Sequence, residues 1–219
     1  FRQKIQVQSN GGLIVAIISN AVTMADAGAF SVSLGAMTLI KTITLSSAAG
    51  NVSFVHGSSS VVLDDTYPIY KFVYLNLHPS ANQFAQFNMS TDTGSNYNVS
   101  KTTTNFNSSQ GEGAEYPAVG YQAGNDLANS TAYQVLSFQP YTGNDSSISG
   151  ELTLFNPSST TFVKHFMAKS HSMHANAFAI QTYVAGYCNT TSAVDAVNFQ
   201  FSSGNIDSGT IKLYGIKDS

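Results

Sequence analysis

Between residues 194 and 217 the hydrophobic pattern of this chain has a period of two. Val197, Phe199 and Phe201 alternate with Asn198, Gln200 and Ser202, so an extended segment there has one apolar and one polar face. Further on, Ile211, Leu213 and Gly215 alternate with Lys212, Tyr214 and Ile216. The seven residues between them, 203–209, are mostly Ser, Gly, Asn and Asp. A hairpin or a short crossover therefore joins two strands and closes a sheet.

The same period recurs upstream. Residues 38–46 form a Thr-rich alternating run, and 51–56 and 61–63 are shorter strand segments. The strongest internal strand is 69–77, where Tyr70, Phe72 and Tyr74 share one face and Val73, Leu75 and Leu77 the other. Apolar residues on both faces imply a strand covered on both sides, central to a sandwich or at a subunit interface. Strand patterns follow at 133–138, 150–155, 161–168 and 177–187, and no segment has the caps and period of a helix. About ten or eleven strands between turn signals predict an all-β chain, a β-sandwich or jelly-roll-like fold with long polar loops.

Residues 38–219 are expected to form the sandwich module and 1–37 an attachment arm or an extra strand. Leu13, Ile14, Val15, Ile17 and Ile18 are the expected assembly contacts of that arm. Their apolar run is far shorter than the ~20 residues that a bilayer needs, so no membrane insertion is expected. With Arg2 and Lys4 before it and Ala25-Asp26-Ala27 after it, the same segment also has the outline of a secretory signal.

Composition narrows the partners. Charged residues are 10% of the 219 positions, whereas soluble domains average roughly 25%. Ser, Thr and Asn number 30, 19 and 18, so hydroxyls and amides carry the surface. Such a surface suits sugars or stacked subunits. A net charge of −3 without a basic run excludes nucleic acid as an expected partner. The lone Cys188 rules out an internal disulfide and reads as a small buried hydrophobe.

Residues 92–129 are long and polar, with Tyr97, Phe106, Tyr116 and Tyr121 spaced through them. They are either excursion loops and edge strands, or a receptor-facing surface. In the second case those four rings are the candidate carbohydrate-binding residues, stacking on sugars while Asn, Asp and Ser bond hydroxyls. His165, His171 and His174 are three of the five histidines. His171 and His174 are weak metal candidates, because zinc wants four donors and a second chain or ligand would have to complete the set. No metal and no cofactor is expected. A glycosidase would need Asp64 or Asp65 within ~5–10 Å of Glu112, Glu115, Asp126 or Glu151. No nucleophile elbow, phosphate loop or HExxH motif is present, and no enzymatic activity is expected.

Three stretches also carry a resemblance. SSGNIDSGTIKLYGIK, DDTYPIYKFVYLNLHPSANQFAQFNMSTDTGSNY and SGELTLFNPSSTTFVKHF resemble segments of a group of virion proteins of bacteriophages, many of them marine, that includes tail-fibre and structural proteins. The likeness covers residues 39–217 and rests on turn Gly, Asn and Pro and on core aromatics. It implies a β-rich domain on the virion surface, extracellular and homo-oligomeric, with other virion proteins as neighbours; the doubly apolar strand at 69–77 makes a trimer the expected order. The function it implies is a tail-fibre or appendage module that attaches to host-surface glycans. Two alternatives stay open: a capsid decoration or extracellular filament subunit assembling through its N-terminal segment, and a polysaccharide depolymerase.

Overall fold

A computed structural model describes residues 17–19, 22–25 and 37–217. The chain divides into two units, one reaching Thr38 and one running from Leu39 to Asp218. In the first, β1 (Ile17–Ser19) and β2 (Val22–Ala25) pair antiparallel. Leu13, Ile14 and Val15 lie outside the described residues, whereas Ile17 and Ile18 belong to β1.

The remaining strands are β3 (Met37–Leu45), β4 (Asn51–Val55), β5 (Ile69–Pro79), β6 (Ala85–Ser90), β7 (Lys101–Gly111) and β8 (Ala118–Tyr121). They continue with β9 (Gln134–Ser137), β10 (Ile148–Phe155), β11 (Lys164–His174), β12 (Phe178–Cys188), β13 (Ala196–Phe201) and β14 (Ile206–Ile216). One sheet has eight strands in the order β3-β14-β5-β10-β11-β12-β7-β8, and the other has four in the order β4-β13-β6-β9. The two antiparallel sheets make the expected β-sandwich. This strand order does not establish the narrower jelly-roll topology.

Period-two patterning is realised side chain by side chain. On β11, Lys164, Phe166, Ala168, Ser170 and Ser172 are buried, while His165, Met167, Lys169 and His171 are exposed. From the eight-stranded sheet Tyr70, Phe72 and Tyr74 enter the core; Phe54, Phe87 and Phe199 meet them from the four-stranded one. Ring centroids lie 5.3 Å apart for Phe54–Phe72, 5.4 Å for Phe72–Phe199 and 5.1 Å for Phe87–Phe166, mostly edge-on. Such contacts add roughly 0.5–1.5 kcal/mol each beyond area burial.

Four elements differ from their sequence patterns. β14 begins at Ile206, inside the expected turn of 203–209, so 202–205 alone link the two strands; of the two expected links this is the crossover, because β13 belongs to the four-stranded sheet and β14 to the eight-stranded one. Gly209 makes the pairing of β14 with β5 irregular: its φ is +126°, and a Cβ there would press on the Asn76 carbonyl oxygen. Val61 and Leu63 reach the core from a turn-stabilised segment outside any strand, held by Gly57 N–H donating to the Val61 carbonyl and Leu63 N–H to His56 Nδ1. The stretch 92–129 contains β7, an interior strand, and β8, an edge strand. The strand expected at 161–168 begins at Lys164 and runs on to His174, so all three clustered histidines lie in β11.

The unequal widths of the sheets set up everything that follows. β9, at the edge of the small sheet, packs against β11 and β12. β7 lies further out and meets the small sheet through polar side chains, Lys101 reaching Asn88 on β6 and Thr103 and Asn105 reaching β9, and β8 lies beyond it at the edge of the large sheet. There the inward-facing residues of the large sheet become Lys101, Thr103, Asn105 and Asn107.

Candidate functional site

The outward face of the eight-stranded sheet gathers aromatic rings that are scattered in sequence. Register pairs Tyr183 on β12 with Phe106 on β7, and Phe106 with Tyr121 on β8. Directly opposed residues on antiparallel strands project from the same face, so the three rings form a row. Phe106 and Tyr183 are stacked, with centroids 4.8 Å apart and planes 13° from parallel. Tyr121 is 55% exposed and its hydroxyl donates to Asp126 Oδ2 at 2.5 Å. That hydrogen bond holds the phenol in its protonated form and raises its pKa.

Beside this row, β10 and β11 contribute charge. Glu151 accepts from Lys71 Nζ at 3.1 Å and lies 3.3 Å from Lys169 Nζ. Burial works against the Glu151 carboxylate, but the hydrogen bonds from the two lysines outweigh it, and its pKa falls below the ordinary value. A depression of about 370 Å³ joins the two parts, lined by Phe106, Tyr183, Met167, Phe155, Glu151 and Lys169. Met167 is 59% exposed, so the floor is a real apolar surface beside fixed charges. A flat hydrophobic floor with a hydrogen-bonding rim can hold one face of a pyranose while its hydroxyls meet Glu151 and the lysines.

Two of the four sequence-selected rings, Phe106 and Tyr121, meet on this platform. Tyr116, at the tip between β7 and β8, has left-handed φ of 55° and touches the Phe178 ring edge-on at 5.7 Å. Tyr97 lies apart from both, in the β6–β7 connection, where its carbonyl accepts from Asn88 Nδ2 at 2.6 Å. His171 points outward and His174 inward on β11, so the strand separates the two metal candidates onto opposite faces. Among the described residues no group of three or more His, Cys, Asp or Glu side chains is placed to hold a metal. Asp64 is engaged in the turn before β5, where it accepts from Thr66 N–H at 2.8 Å.

Sequence reasoning missed Tyr183 and Lys169, and it weighed Glu151 only as a glycosidase carboxylate. The alternation of 177–187 was available as the signal, since it puts Tyr183 and Tyr187 on one face. Choosing the outer face required the register with β7.

The inward face of β7 carries a second polar assembly. Lys101 Nζ donates to Asn88 Oδ1 at 2.6 Å and to the Val99 carbonyl at 2.7 Å. Burial pushes its pKa down to about 8 and pushes the neighbouring Cys188 thiol up to about 12, as expected of a buried structural cysteine. Thr103 Oγ1 donates to Gln134 Oε1 at 2.5 Å, and Gln134 Nε2 donates to the Asn125 and Val135 carbonyls, each at 2.9 Å. Asn105 Oδ1 and Asn107 Oδ1 are buried without a hydrogen-bond partner.

The fold and this surface define an all-β sandwich with an aromatic, charge-rimmed sheet face. No family model, curated protein or solved structure matches the chain.

Proposed function

We propose that this chain is a non-enzymatic attachment module of a virion surface appendage, homo-oligomeric and extracellular, that binds host-surface glycans on the outer face of its eight-stranded sheet. The observation that carries the binding role is the Phe106–Tyr183 stack beside the Lys71–Glu151–Lys169 ion group. Stacking supplies desolvated contact area, the ion group supplies directional hydrogen bonds, and repetition over an oligomer multiplies weak single-site binding. The virion setting is supported by the sequence resemblance described above.

The test is a glycan array probed with the full chain, alongside Phe106→Ala and Tyr183→Ala. We expect a defined set of glycans to be retained by the wild type and each substitution to weaken binding about tenfold or more, as loss of an aromatic anchor does. Binding that is unchanged in both variants removes the platform from the reading.

A further inference from the structure

Beneath β8, on the side of the large sheet that the small sheet leaves uncovered, is a pocket of about 460 Å³. Its polar wall is Asn107, Ser109, Gln122 and Gln139, and its aromatic wall is Phe138, His174 and Phe178. His174 and Phe178 stack with centroids 6.1 Å apart and planes 12° from parallel; Phe138 meets His174 at 5.6 Å. Tyr116, singled out from sequence, extends this arc by its contact with Phe178.

Asn107 is the unusual member. It is only 8% exposed, and its Oδ1 is buried without a hydrogen-bond partner among the described residues. A buried amide without partners costs on the order of 1–3 kcal/mol relative to one that is satisfied, so a fold retains it where something else answers it. Every other buried polar side chain along inward β7 has at least one bond: Lys101 to Asn88, Thr103 to Gln134, Asn105 weakly to the Val135 carbonyl at 3.4 Å. Asn107 is the one that reaches the pocket wall.

The lining selects a ligand class. It contains no Lys, Arg, Asp or Glu, which disfavours an ion or a metal, and His174 is its single ionisable side chain. Three amides, one hydroxyl and aromatic rings answer a molecule with many hydroxyl donors and acceptors and one apolar face. We propose that this end pocket binds a neutral hexopyranose unit, with the Asn107 amide as its buried hydrogen-bonding anchor. The choice of a sugar follows from the lining and stands apart from the platform on the opposite face of the sheet.

The test is amide NMR of the full chain titrated separately with D-glucose, D-galactose and N-acetyl-D-glucosamine to about 100 mM, since a single small unit binds in the millimolar range. We expect one of the three to give saturable shifts of the Asn107 and Gln139 side-chain amides. Asn107→Leu should weaken that affinity about tenfold or more, and Phe106→Ala should leave it unchanged. Gln139→Ala, at the mouth, provides a second variant should Asn107→Leu disturb folding, and should weaken the same affinity several-fold. No saturable shift in the pocket with any of the three sugars, or a shift that survives Asn107→Leu, overturns the proposal and leaves bound water as the partner of the amide. Shifts confined to Phe106 and Tyr183 overturn it while sustaining the platform; shifts confined to the pocket do the reverse.

Discussion

Two halves of one interior follow different rules. Where β5, β10 and β14 face β4, β13 and β6, the contents are Phe, Tyr, Leu, Ile and Val, and rings interlock at 5–6 Å. Where β7 passes the edge of the small sheet, its inward residues are Lys101, Thr103, Asn105 and Asn107, Thr182 on β12 sits between the buried Ile180 and Val184, and hydrogen bonds replace ring contacts. The backbone arrangement is the same in both. The difference shows that sheet pairing sustains an interior strand whose buried polar groups are mostly partnered, with Asn105 Oδ1 and Asn107 Oδ1 as the exceptions. Stability therefore resides in the first half, and the second is open to selection for something else.

Substitutions of decreasing expected effect can break that contrast. Phe72→Ala, at full burial among Phe54 and Phe199, should cost about 3–5 kcal/mol in denaturant unfolding. A cost near 1 kcal/mol would mean that the aromatic half is not the anchor. Lys101→Met should cost about 1–3 kcal/mol, mainly by removing the ammonium's bond to the Val99 carbonyl and one of the two donors to Asn88 Oδ1, which keeps the Met89 N–H.

The same lysine gives a pH signature. Its folded pKa of about 8 lies below the ordinary 10.5, so between those values the unfolded chain binds more protons and stability rises with pH. Cys188 acts oppositely above pH 9, because its folded pKa of about 12 exceeds the ordinary 9.0 and the native thiol keeps a proton that the unfolded one loses. Unfolding measured from pH 8 to 9 should thus show a rising contribution, at most about 1.4 kcal/mol per pH unit, that Lys101→Met lacks. A flat wild-type profile there would show that water reaches the ammonium. Smaller still, Phe106→Ala should shift stability by less than about 1 kcal/mol, its ring being 40% exposed, so that any loss of glycan binding is separable from unfolding. Smallest is Asn105→Leu, within about 1 kcal/mol of zero and toward a gain, because Asn105 Oδ1 has no partner to lose. Thermal melts that rank Asn105→Leu beside Phe72→Ala would erase the distinction between the halves.

The same contrast governs what could be read in advance. In the apolar half alternation announces itself: residues 69–77 and 197–201 lie in β5 and β13, and 211–216 in β14. In the polar half both faces of β7 are Thr, Asn and Ser apart from Phe106 and the buried Lys101 stem, so no period appears and an interior strand reads as a loop. Hairpin and crossover could not be told apart at 203–209 for another reason, since turn residues specify a reversal but not which sheet receives the next strand. Phe106 and Tyr121 were legible as exposed aromatics, yet their partner Tyr183 comes from a strand 77 residues beyond Phe106, and only register brings it near. Asn107 carried no signal, because an unpaired amide is a property of three-dimensional surroundings.

The placement of β13 and β14 has a consequence for biosynthesis. β13 lies between β4 and β6, and β14 between β3 and β5. A ribosome making this chain releases β5 and β6 long before it releases the strands that must slot beside them. Until translation passes Phe201 the small sheet has a gap between β4 and β6, and until it passes Ile216 the large one has a gap between β3 and β5; the open backbone is a template for unwanted strand pairing between nascent chains. Folding of this unit therefore waits for its last two strands, and a chain stopped before β14 is expected to aggregate rather than to wait.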